Sequence, residues 1–245
     1  MPSGPVVDTL TAQDFLAEAL ARASAEDLRA VGADLRTKTE SVRRILGDSP
    51  ERLDAEALAR LMGWTFSTRR HAAEVLEATG ADELAAAVAD LVTSTDAPDE
   101  RVRRFDAAVP TPRAFDLPGE ILHFSAPDSF WLWTRWMWDP DNDTGALRLV
   151  TLDEVELAGA DRGETYLLVG QALAFVEETG KARGFTALGE GLYGTDVFLA
   201  SVYAVYLHTV LGMRMTREFT RLAPPVAELV RRLLGVHSRT TVQEG

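Results

Sequence analysis

An all-α fold is predicted for this 245-residue chain, and three observations predict it. From Thr11 to about Ala126 apolar residues recur at helical spacing between capping and turn residues. The longest apolar run, Val197 to Leu211, contains neither glycine nor proline and reads as a buried core helix. Only one stretch, 146–157, has the β-branched content and loose alternation of a short β extension. The expected architecture is a helical, repeat-like first half packed on a second helical half. At 46% apolar and 26% charged residues the chain has ordinary globular composition.

In order, Phe15, Leu16, Ala19, Leu20 and Ala23 form a first apolar stripe, and Leu28, Val31 and Leu35 a second. Ser24 and Asp54 stand where helix N-caps belong, and Gly80 where a C-terminal glycine belongs. The order Ala25, Leu28, Ala33, Asp34, Leu35 returns as Ala81, Leu84, Ala89, Asp90, Leu91. Val42, Arg43, Arg44 and Ile45 return as Val102, Arg103, Arg104 and Phe105 once an insertion is allowed. The region 10–118 is therefore a candidate tandem duplication, about 11–66 and 67–118, although an Ala- and Leu-rich helical sequence also resembles itself by composition.

Prolines between Pro110 and Pro118 mark a boundary, after which 119–236 is expected to be a Trp-rich helical domain. Within it, 139–145 reads as a turn, Glu164 to Thr179 as a helix ended by Gly180, and 184–194 as a glycine-bearing loop. Val226 to Leu234 reads as a helix opened by Pro224 and Pro225, and 237–245 as a frayed tail.

The formal net charge of −13 repels phosphate backbones and anionic headgroups over about a Debye length, roughly 8 Å, so neither nucleic acid nor a membrane is an expected partner. Arginine clusters at 43–44, 69–70, 101–104 and 231–232 read as solvated helix faces. The absence of cysteine excludes disulfides, thiolate metal sites and a cysteine nucleophile. Residues 1–9 lack the basic and apolar parts of a signal peptide, and 197–211 is shorter than the roughly 20 residues that span a bilayer, so the expected location is cytoplasmic.

The segment Phe130, Trp131, Leu132, Trp133, Thr134, Arg135, Trp136, Met137, Trp138 carries the most information. On a helix, at about 100° per residue, Trp131 and Trp138 share one side while Trp133 and Trp136 lie nearly opposite. One core cannot take all four, so a second face is expected to line a pocket or meet a partner. Arg135, between the two faces, is placed to stack on a ring or hold an anionic group.

Four further patterns are weaker. Asp139, Asp141 and Asp143 resemble the start of a calcium loop, but Thr144 and Val150 stand where glycine and glutamate are required, and a polar turn is expected. Gly189, Gly191 and Gly194 spell a dinucleotide-loop pattern without the flanking βαβ context. Glu120 and His123 make one E-x-x-H where a di-iron bundle needs two, so no metal site is expected. His208, in the apolar run beside Ala204, is the catalytic candidate because imidazole titrates near neutral pH.

Two functions follow as expectations. One is a non-catalytic binding or assembly protein whose Trp-rich segment meets a protein partner or a second copy. The other is a small-molecule-binding protein or enzyme with an aromatic pocket built from Trp131, Trp133, Trp136, Trp138, Tyr203 and His208, Arg135 or the glycine loop holding a polar group of a small apolar or aromatic ligand. No cofactor is implied.

Overall fold

The computed structural model describes residues 6–184, 193–214 and 224–237. Among the described residues the chain is all-α, with eleven α-helices and no strand. They are α1 (Thr9–Arg22), α2 (Ala25–Leu46), α3 (Ala55–Met62), α4 (Ala72–Thr79), α5 (Ala81–Thr93), α6 (Pro98–Ala108), α7 (Leu117–Ser125), α8 (Ala146–Val150), α9 (Arg162–Arg183), α10 (Gly194–Arg214) and α11 (Val226–Leu233). None of the described helices is long and apolar enough to cross a membrane.

The caps sit where composition placed them. Ser24 Oγ accepts from the Asp27 N–H at 3.0 Å and Asp54 Oδ1 from the Ala57 N–H at 2.8 Å, each satisfying an otherwise orphaned donor of the first turn. Gly80, at φ +88°, ends α4 and begins α5. The two candidate repeats are laid out differently: the first motif runs along the single helix α2, whereas Pro98 splits the second between α5 and α6.

Three expectations are corrected. Residues 146–150 form the short helix α8 rather than a strand; Thr151 then makes one isolated antiparallel bridge to Val7. Helix α9 continues through Gly180, which is buried, and stops at Gly184, whose left-handed conformation at φ +82° suits a residue without a Cβ. The Trp-rich segment is not a helix: it passes over α7 without regular secondary structure and then turns, Met137 and Trp138 N–H both donating to Thr134 O. Pro127 and Pro140 flank it, and its aromatic content favours extended backbone.

That segment is held by side chains of its neighbours. His123 Nδ1 donates to Phe130 O at 2.8 Å, and the Tyr166 hydroxyl donates to Trp131 O at 2.9 Å. Gly119 permits the contact, since a Cβ there would lie 2.2 Å from Trp133 O. One apolar core, reaching from Val7 to Val236, takes residues of both halves, with Val197, Phe198, Leu199, Ala200 and Val202 of α10 wholly buried in it. Helix α10 packs against α1, α2, α8, α9 and α11.

Candidate functional site

Trp133, Trp136 and Trp138 are buried in the one apolar core and Trp131 packs against it, each in different polar surroundings. Trp133 is 2% exposed, donates through Nε1 to Trp138 O at 3.0 Å and meets Phe115 edge-on at 5.2 Å. Trp138 donates to Asp143 Oδ1 at 3.1 Å. Trp131 is half-buried against Gly170 of α9, between two small clefts of about 300 and 210 Å³. Trp136 is 6% exposed, lies 6.4 Å from Tyr203 with 34° between the rings, and its indole nitrogen is buried with no hydrogen-bond partner.

Trp136 and Tyr203 line a cleft of about 620 Å³, within the range that holds small-molecule ligands. Its walls come from Phe66 to Arg70 after α3, from Arg135 and Trp136, from Tyr203 and Leu207 of α10, and from Leu229, Arg232 and Leu233 of α11. Four arginines thus border one cavity of a chain that carries an excess of negative charge. Arg69, Arg70 and Arg232, expected on solvated helix faces, are brought together here from opposite ends of the sequence. Burial first, then the like charges of Arg70 and Arg232, pull Arg69 below its ordinary pKa.

Arg135 stands with its guanidinium 4.3 Å over the Phe115 ring, and its Nε is buried without a partner. Its backbone N–H donates to Asp116 Oδ1 at 2.8 Å. Asp116 is 4% exposed and borders the same cleft. Burial raises its pKa, opposed by the Ser67 hydroxyl, the Arg135 N–H and the charges of Arg135 and Arg162.

Behind the cleft lies a string of buried charges. Lys38, wholly buried, donates to Glu120 Oε2 at 2.5 Å and to Leu234 O at 2.8 Å, and sits 3.9 Å over the Phe124 ring. It thereby ties α2 and α7 to the C-terminus of α11, the helix that supplies one wall of the cleft. Burial lowers the Lys38 pKa against the attraction of Glu120; burial likewise pushes Glu120 up to about 7 against the pull of Lys38.

His123 Nε2 stands 3.0 Å from Asp196 Oδ2, a charge pairing without well-aligned hydrogen-bond geometry. Burial acts to lower the His123 pKa, but Asp196, the Phe130 carbonyl and Glu120 outweigh it and the net shift is upward. The E-x-x-H pair thus serves two different ion pairs.

The sequence candidates divide accordingly. Arg135, Trp136 and Tyr203 meet in the cleft; Trp131, Trp133 and Trp138 do not line it. His208 is half-exposed rather than buried and accepts a hydrogen bond from Arg22 Nη1 at 3.0 Å, away from the cleft lining. Asp139 borders the cleft, while Asp143 is occupied by Trp138 and Arg148. Gly189 and Gly191 lie outside the described residues. Sequence reasoning missed Lys38, Asp116 and the convergence of Arg69, Arg70 and Arg232. Lys38 had a readable signal, a charge in the stripe Val31, Leu35, Val42; the arginines had none. No known protein family, curated protein or solved structure matches the chain.

Proposed function

We propose that this chain is a small-molecule-binding protein whose cleft takes a flat, amphipathic anion. The observation that carries the reading is the Trp136 indole N–H, a buried donor without an acceptor beside a cavity bordered by arginines. A buried unpaired donor costs about 1 to 3 kcal/mol, and a ligand oxygen that accepts from it recovers that cost. Trp136, Tyr203 and Leu229 supply apolar surface for a ring, and the guanidiniums supply charge-assisted donors.

The burial of Trp133, Trp136 and Trp138 supports this reading over one in which the segment is a protein interface, because indoles at 2%, 6% and 2% exposure present little surface to a partner. In this reading the protein is cytoplasmic, and its negative charge keeps it off nucleic acid and membranes.

The test is a fluorescence titration with 1-anilinonaphthalene-8-sulfonate, an aromatic anion of suitable size. Saturable one-to-one binding is expected, weakened at least about tenfold by Trp136→Phe, since a hydrogen bond to a charged group contributes about 1.5 to 3 kcal/mol. Non-saturable binding, or an unchanged affinity in the variant, would overturn the proposal.

A further inference from the structure

Three arginines, Arg69, Arg70 and Arg232, border the α11 edge of the cleft and bear on which anion it prefers. Arg69 turns one guanidinium nitrogen, Nη1, to His237, 2.8 Å from Nδ1 and 2.5 Å from Nε2, and makes no carboxylate contact among the described residues. Arg70 is exposed and makes no ion pair among the described residues. Arg232 is bonded to Glu228 at 2.8 Å. Glu228 pairs with Arg232, so the edge formed by Arg69, Arg70 and Arg232 holds about two positive charges in excess; Asp116 and Asp139 border the same cleft, Asp116 accepting from the Arg135 N–H.

A carboxylate or sulfonate ligand would neutralise one of those charges. A phosphomonoester carries about −1.5 to −2 at neutral pH on three terminal oxygens and matches both the charge and the donor count. The cavity volume leaves room for a ring beside Trp136 and Tyr203 with the phosphoryl group at the arginines.

We infer that the ligand is a small aromatic phosphomonoester, its dianionic group seated on Arg69, Arg70 and Arg232 with one oxygen accepting from the Trp136 indole N–H, and its ring against Trp136 and Tyr203. This rests on the cleft being a ligand site, and the experiment separates the two claims.

Displacement of bound anilinonaphthalene sulfonate is measured at pH 7.5 with phenyl phosphate, benzenesulfonate and inorganic phosphate. Phenyl phosphate and benzenesulfonate share a ring and three terminal oxygens and differ in charge. Phenyl phosphate is expected to displace the probe at about one tenth the concentration of benzenesulfonate or less. Inorganic phosphate is expected to be weaker than phenyl phosphate, because it lacks the ring. Arg69→Gln and, independently, the exposed Arg70→Gln should bring the two aryl ligands to within about threefold of each other.

Equal displacement by the two aryl ligands overturns the dianion assignment and leaves the cleft reading standing. Equal displacement by phenyl and inorganic phosphate overturns the aromatic part. A ratio that both arginine variants leave intact overturns the seat. Failure of the probe itself to bind removes the cleft reading and this inference together.

Discussion

Replacing Lys38 by methionine is the sharpest perturbation of the frame that holds the cleft. The substitution keeps the length of the side chain and deletes the ammonium, together with its contacts to Glu120, to Leu234 O and to the Phe124 ring. Breaking one partner of a buried ion pair costs about 3 to 5 kcal/mol. For a chain of this size that is a fall in Tm of about 10 °C, at 2 to 4 °C per kcal/mol.

The loss has a pH signature. Glu120 already holds its proton up to about pH 7 in the folded state, against 4.5 as its ordinary value, so its contribution to stability declines as pH rises between those values and is level above. Without Lys38 the Glu120 pKa rises further, and the decline continues above pH 7 at up to about 1.4 kcal/mol per unit. The lowered pKa of Lys38 in the wild type acts in the same direction, since release of that proton relieves a burial penalty at high pH. Urea unfolding at pH 6 and pH 8 should therefore show a deficit about 1 kcal/mol larger at pH 8. Because α11 loses its anchor at Leu234, affinity for anilinonaphthalene sulfonate should fall as well. A deficit below about 1 kcal/mol, the same at both pH values, would refute the assignment of Lys38 as a buried tie.

Asp196→Asn removes the carboxylate that holds His123 charged. An imidazole raised above its ordinary 6.5 adds stability that is complete below that pH and fades as pH climbs through the raised value, so the variant should lose about 2 kcal/mol at pH 6 and recover toward wild type by pH 9, read by thermal unfolding. Gly119→Ala places a methyl group 2.2 Å from Trp133 O and forces the Trp-rich segment off α7. A loss of about 3 kcal/mol in urea unfolding is expected, and a loss under 1 would show that the segment yields easily. His208→Ala should leave probe affinity within about twofold of wild type, since the ring faces Arg22; a tenfold loss would return His208 to the site.

Helix periodicity and capping were legible in the sequence because they are local: Ser24, Asp54 and Gly80 act within one turn of themselves. The conformation of the Trp-rich segment was not. A rotational argument at 100° per residue presupposes a helix, and this backbone is instead pinned by Asp116, His123 and Tyr166, residues up to 35 positions away. The expectation that one core cannot take all four indoles fails for the same reason: off a helix, Trp133, Trp136 and Trp138 are buried in one apolar core and Trp131 packs against it. Arg135 and Tyr203, singled out for their places in the Trp-rich segment and the apolar run, both border the cleft. The basic edge of the cleft depends on the packing of α11 beside the residues that follow α3, which no local pattern encodes.

The proposed binding turns on one hydrogen atom, the indole N–H of Trp136. In a ¹H–¹⁵N correlation spectrum the five tryptophan side chains give five indole signals, with that of Trp136 assigned by its absence in Trp136→Phe. On titration with phenyl phosphate the Trp136 signal should move downfield as the N–H gains an acceptor. The signals of Trp133 and Trp138, already bonded to Trp138 O and Asp143, should stay nearly still. A Trp136 signal that does not move at saturating ligand would contradict the account.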